Sequence, residues 1–275
     1  CADADLDRAS AGACWAGMQN AGQSCGGVER IYVHRDVYQP FLDKLAERVR
    51  ALRVGVDVDH EVDMGAMTTP GQLDLVKRHV ADAVAKGAVV YAQSSCPSDG
   101  KGTFHPAMVL TNVDHSMDVM RDETFGPVVG VMQVNDMEQA VALANDSNLG
   151  LTASVWSRDR KNAETIGRKV RAGVVMINDH LMSHGLPETP WGGFKESGIG
   201  RTHGQIGFDE MTQAQCVVHD YMPMVKKNMW WHPHGKGVYD AIKGIIDVLT
   251  GSPAQRAGGL GELVRLFPRS FSKDR

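Results

Sequence analysis

Cys25 is the residue of this chain best suited to covalent chemistry. It stands in Asn20-Ala21-Gly22-Gln23-Ser24-Cys25-Gly26-Gly27, where a predicted helix ends at Asn20, Gly22 permits a tight turn and a strand leaves the loop afterwards. Thiolates are strong nucleophiles, and a cysteine in a glycine-lined turn is open both to a substrate and to backbone N–H groups. The same position also suits a small buried cysteine with no chemistry at all. A second stretch, Asp122-Glu123-Thr124-Phe125-Gly126-Pro127, sets a carboxylate two residues before an aromatic ring. By composition alone the stretch is a polar turn with a Gly-Pro breaker. A third runs from Pro190 through Trp191-Gly192-Gly193-Phe194-Lys195-Glu196-Ser197-Gly198-Ile199-Gly200-Arg201. Its glycines do not follow a strand directly, and Gly198 to Gly204 has Gly-x-Gly-x-x-x-Gly spacing, so it is not read as a dinucleotide loop. His180 and His184, with His203, offer metal ligands or a base for Cys25. They lie in a Gly/Pro loop, where i, i+4 spacing does not put two side chains on one helix face, and neither a zinc site nor a Cys–His hydrolase is expected.

Together the three stretches resemble the motifs of the aldehyde dehydrogenase superfamily: Asn-x-Gly-Gln-x-Cys, Glu-x-Phe-Gly-Pro and Pro-aromatic-Gly-Gly-aromatic-Lys-x-Ser-Gly-x-Gly, in that order, over about residues 1–222. The resemblance implies that Cys25 is the nucleophile, that Glu123 holds the nicotinamide ribose of NAD or NADP with Phe125 packed near the nicotinamide, and that Trp191 lines a substrate tunnel shaped also by the 179–190 loop. Asn178 falls on a family position that carries Asn. The implied reaction oxidises an aldehyde to a carboxylic acid through a thiohemiacetal and a thioester on Cys25. Ala2-Asp3-Ala4-Asp5-Leu6 is similar to a segment that in the family follows a Glu-Leu-Gly-Gly motif bearing the general base. That motif is absent from these residues, as are the family's oxyanion-hole Asn and Rossmann-type cofactor domain, so the expectation is a fragment, inactive alone. Two alternatives stay open at this point: a non-catalytic remnant that needs a partner half, and a relative that passes the acyl group to coenzyme A.

Positioning such groups requires an α/β frame. Helices are predicted over 5–19, from Asp36 to Leu52, from Thr69 to Gly87, from Asp136 and over 159–170, each with apolar residues at helical spacing or a capping residue at its start. Strands are predicted at 31–33, 88–92 (a buried type), 107–113, 127–134, 151–156 and 174–177. Their alternation with helices predicts right-handed crossovers and a parallel sheet covered on both faces. Active residues are then expected at the carboxyl ends of strands, where Asn178 begins a long Gly-, Pro- and His-rich stretch reaching Gly207. Residues 93–103 read as a polar loop. Thr212 to Tyr221 reads as an edge strand and resembles the family's late strand that joins subunits, which implies an oligomer.

Composition separates residues 1–222 from 223–275. The chain of 275 residues has a net charge of −4, yet the last stretch holds nine Lys/Arg against four Asp/Glu, a balance of +5. The acidic remainder argues against general nucleic-acid binding. The 223–275 extension contains Trp230-Trp231-His232-Pro233-His234 and two short amphipathic segments near 238–250 and 258–267. It reads as a surface-packed extension or oligomer contact, with lying on an anionic membrane the weaker reading. Five scattered cysteines without a Cys-x-x-Cys pair suit reduced thiols in a cytoplasmic protein. No leader or long apolar run is read, and Cys1 is taken as the interior of a domain rather than as a lipoprotein terminus.

Overall fold

The computed structural model of the chain describes residues 1–97, 101–180 and 182–272. Parts of the 93–103 loop, of the 178–207 stretch and of the C-terminal extension therefore lie outside the described residues. Two compact units are present, Cys1–Gln213 and Ala214–Arg275.

The first unit is α/β. Helix α1 (Leu6–Met18) starts where the Asp5 side chain accepts from the Asp7 and Arg8 N–H groups, and leads through a tight turn, Gln19–Gly22, into the Cys25 loop. Then follow β1 (Arg30–His34), α2 (Tyr38–Ala51), α3 (Pro70–Ala85), β2 (Val89–Gln93), β3 (Met108–Thr111), the short α4 (Asp118–Arg121) and β4 (Val128–Val134). The order continues with α5 (Met137–Asn145), β5 (Thr152–Val155), α6 (Arg160–Gly167) and β6 (Val174–Ile177). Four strands form one sheet in the order β1-β4-β3-β2, while β5 and β6 form a second, two-stranded parallel sheet. The core gathers on the first sheet: Leu42, Leu45 and Val49 of α2, Val76 of α3, and Val109, Leu110, Val128, Val129 and Val131 of the central strands are all buried.

Three expectations need correction. The pairs β1/β4 and β3/β4 are parallel, but β2/β3 is antiparallel. Among the described residues no helix lies between β2 and β3, whereas a parallel neighbour needs a long crossover. β2 is also an edge strand and not a buried one, with Val89 52% and Val90 37% exposed. Finally, residues 212–221 form no strand within the single chain: Val217 and Val218 are exposed, and no neighbouring chain segment among the described residues supplies a ladder.

The second unit is a helical hairpin of α8 (Lys236–Thr250) and α9 (Pro253–Leu266), while the short α7 (Gly204–Glu210) closes the first unit. The two helices of the hairpin meet at Gly244 and Gly259, where a methyl group on either residue would collide with the other's carbonyl oxygen. No helix among the described residues is long and apolar enough to cross a membrane.

Candidate active site

The Asn-x-Gly-Gln part of the Cys25 stretch is a self-bracing turn. The Gln23 N–H and its Nε2 both donate to the Asn20 carbonyl, Asn20 Nδ2 donates to the Gln23 carbonyl at 2.9 Å, and the Gln23 side-chain oxygen accepts from the Thr68 N–H. Asn20, Ala21 and Gly22 all have positive φ (52°, 56° and 69°), a run that a normal helix end does not need. Beyond it the Gly27 N–H donates to Ser24 O, so Cys25 and Gly26 occupy the middle of a turn. Cys25 is exposed, and among the described residues no hydrogen bond uses its backbone N–H.

The Glu123 stretch is pressed against this turn. A methyl group on Gly22 would collide with the carbonyl of Gly126, so the two loops touch through backbone alone. Phe125 carries φ +49°, a left-handed conformation unusual for a bulky side chain. Its loop is held from three directions. Gln72 Nε2 donates to the Thr124 and Phe125 carbonyls, His79 Nδ1 lies 3.1 Å from Thr124 Oγ1, and the Phe125 N–H donates to Glu29 Oε1 at 2.8 Å. Glu123 itself is exposed at the tip.

A cavity of about 470 Å³ joins these loops, lined among others by Ser24, Cys25, Glu29, Glu123 and His180. Successive residues of β1 and of β5 line it, so it runs between the facing edges of the two sheets. Cys25 precedes β1, and Glu123 precedes β4, which is parallel to it. Cys25 and Glu123 thus stand at the amino ends of strands, entered from α1 and α4, whereas Asn178 and the cavity-lining His180 follow the carboxyl end of β6, where active residues are expected. Asn178, after β6, brackets the chain instead: its Oδ1 accepts from Ser157 N–H and its Nδ2 donates to Ser157 O at 2.7 Å.

Two groups near Cys25 were not singled out for these roles in the sequence. Burial pushes the Glu29 carboxyl up to about 7, and its bond from Phe125 N–H opposes that shift without cancelling it. His180, expected only as a doubtful ligand or base, is buried with Nδ1 2.9 Å from Ser154 Oγ and Nε2 2.8 Å from the Gly26 carbonyl. A carbonyl only accepts, so Nε2 carries the proton and Nδ1 accepts from the serine hydroxyl. Burial holds the imidazole below its ordinary value, favouring that neutral form. Thr152 Oγ1 donates to the same carbonyl. His180 therefore clamps the Cys25 turn.

Trp191 lies apart from the cavity lining. It pairs with Thr202 through two 2.7 Å backbone bonds, and its indole N–H is buried without a partner. Lys195 Nζ donates to the carbonyls of Asn145 and Ser147 just past α5, as a cation does at a helix carboxyl end. Phe194 N–H bonds Gly150 O, and Ser197 Oγ accepts from Gly150 N–H. The motif thus ties the entry of β5 to the end of α5.

These features coincide with a match to the family model described as aldehyde dehydrogenase family over residues 1–217. The chain belongs to the aldehyde dehydrogenase family. Among curated relatives, 4,4'-diapolycopene aldehyde oxidase of Methylomonas sp is 39% identical over 273 residues, 98% of this chain and 50% of the relative. Putative succinate-semialdehyde dehydrogenase [NADP(+)] 2 of Mycobacterium ulcerans is 40% identical over 214 residues, 78% of this chain and 41% of the relative. Among solved structures, betaine aldehyde dehydrogenase from Staphylococcus aureus in complex with NAD+ superposes with a TM-score of 0.72 at 34% identity, covering 76% of this chain and 41% of that one. NAD-dependent aldehyde dehydrogenase from Sinorhizobium meliloti gives 0.72 at 33%, covering 77% and 41%. The chain spans half or less of the length of each of these aldehyde dehydrogenase relatives.

Proposed function

We propose that this chain carries the nucleophile of an NAD- or NADP-dependent oxidation of an aldehyde to a carboxylic acid. The observation behind the reading is the convergence of Cys25 and Glu123 on one cavity, from loops in direct backbone contact. The Cys25 thiolate attacks the aldehyde carbon; a C–S bond forms and the carbonyl oxygen becomes an oxyanion, held by the Cys25 N–H. The exposed Glu123 carboxylate fits the ribose diol of a dinucleotide, with Phe125 beside it. When bound, that cofactor accepts the hydride that leaves the thiohemiacetal carbon. The thioester left on Cys25 is then cleaved by water, releasing the carboxylic acid and the thiolate. The 179–190 loop, whose His180 lines the cavity, shapes which aldehyde enters.

The residues present contain no Glu-Leu-Gly-Gly segment and no cofactor domain, so these 275 residues by themselves do not complete the oxidation. The late segment from Thr212 to Tyr221, unpaired here, completes a sheet in an oligomer. Residues 1–222 act as the catalytic portion and 223–275 as an extension. The relative that aligns over 273 residues, and so through that extension, has a polyene aldehyde in its name, while the succinate-semialdehyde relative aligns over 214. An aldehyde on a long apolar chain is the substrate class this favours.

Acyl transfer tests the nucleophile without any cofactor. With p-nitrophenyl acetate the chain should gain an acyl group on Cys25, seen by intact mass and peptide mapping, and Cys25→Ala should lose it. Acylation that persists at the same rate in the variant would overturn the reading.

A further inference from the structure

The hairpin of the second unit spends one apolar face and keeps another. On α8, Val238, Ala241 and Gly244 are buried, while Tyr239, Ile242, Ile246 and Leu249 are exposed by 69%, 45%, 57% and 71%. The exposed four recur at i, i+3, i+7 and i+10, a single stripe along one side of the helix. By the same periodicity Lys236 and Lys243 fall on its flank, with Asp240 and Asp247 just beyond them and Lys236 paired to Asp240 at 2.6 Å. α9 repeats the arrangement with Leu260 and Val264 exposed and Phe267 following them. Trp230 and Trp231, about half exposed, are fastened to the Phe267–Phe271 turn that follows α9: the Arg269 guanidinium donates to the carbonyls of Met229, Trp231 and Pro233.

We infer that this face docks on an anionic phospholipid surface. Apolar stripes of this kind suit a partner that is itself apolar, and the +5 balance of residues 223–275 selects one that is also negatively charged. Half-exposed tryptophans beside lysines and arginines fit the boundary between headgroups and acyl chains. The hairpin lies on the surface and does not enter it further, since neither helix can span a bilayer. An aldehyde on a long apolar chain dissolves in that same phase, so the docking deepens the substrate reading proposed above: the enzyme works where its substrate collects.

Sedimentation with vesicles tests the inference on the 275-residue chain. It should partition onto phosphatidylcholine vesicles carrying about 30 mol% phosphatidylserine, and about 10-fold less onto phosphatidylcholine alone or in about 0.5 M NaCl. The triple variant I242Q/I246Q/L249Q should lose about 10-fold or more of that partition with unchanged far-ultraviolet circular dichroism. The pair Lys236→Gln and Lys243→Gln, both exposed on the flank of the stripe, should lower it severalfold and decides the matter if the triple variant loses helix. Equal binding to both vesicle types, or none, overturns the inference. So does a triple variant that turns an oligomer into a monomer in light scattering while vesicles never bind, which assigns the stripe to a second copy. Vesicle binding without acylation of Cys25 leaves the docking intact and removes the catalytic reading; acylation without binding does the reverse.

Discussion

Cys14 and Cys25 flank one turn of the chain and have opposite environments. Cys14 is 6% exposed inside α1, and burial pushes its thiol up to about 11, whereas Cys25 stands exposed in the middle of a turn. Alkylation with iodoacetamide near pH 8 should therefore modify Cys25 at least about 100-fold faster than Cys14, measured by peptide mapping over time. Glu29 gives a second residue-scale test. Its carboxyl titrates near 4.5 in an unfolded chain and about 7 in the fold. Below the lower value both states are protonated and burial costs nothing. Between the two the unfolded chain releases its proton and the folded chain does not, so stability falls as pH rises and stays reduced above. Glu29→Gln should then gain in Tm relative to the parent between about pH 5 and about pH 7.5, as followed by differential scanning fluorimetry. A constant difference across that range would show that Glu29 is not perturbed. His180→Ala, which leaves the Gly26 carbonyl to Thr152 alone, should cost about 1–3 kcal/mol in urea denaturation.

At the scale of elements, the site depends on how closely two loops approach. Gly22→Ala would place a methyl group on the Gly126 carbonyl and in a left-handed conformation, at a cost of about 1–3 kcal/mol. The expected outcome is a lower urea midpoint together with slower acylation of Cys25; a variant as stable and as reactive as the parent would separate the two loops functionally. The helices and most strands were legible because their signals are local: Asp5, Thr69, Asp136 and Asp159 all accept backbone N–H groups at helix starts, as their side chains suggest. The sense of β2 and its exposure were not, because they depend on what lies on the other side of a loop. Thr212 to Tyr221 has the alternation of a strand, but a strand is a relation between two segments and not a property of one. In the site, the motifs pointed to Cys25 and Glu123, which line one cavity, whereas Phe125 and Trp191, expected beside them, are not among its lining residues. The perturbation of Glu29 was invisible because burial, its cause, exists only in the folded chain, and even the bond that opposes it comes from Phe125, 96 residues away. The bond from His180 to Gly26 spans 154 residues and was hidden for the same reason.

Across the whole first unit, β4 is paired on both sides, by β1 and by β3, whereas β1 and β5 each have one partner and turn their other edge to the cavity. Amide hydrogens on those facing edges should exchange much faster than those of β4, and mass spectrometry of deuterium uptake by β1, β4 and β5 peptides measures the contrast. Equal protection of β1 and β4 would contradict it. Between its two sheets the unit is thus joined by side chains and loops and not by a backbone ladder. That makes the line beside the reactive sulfur its natural cleavage plane. Under denaturant the small sheet with α6 should peel away first, and the nucleophile should lose its setting while the larger sheet still stands.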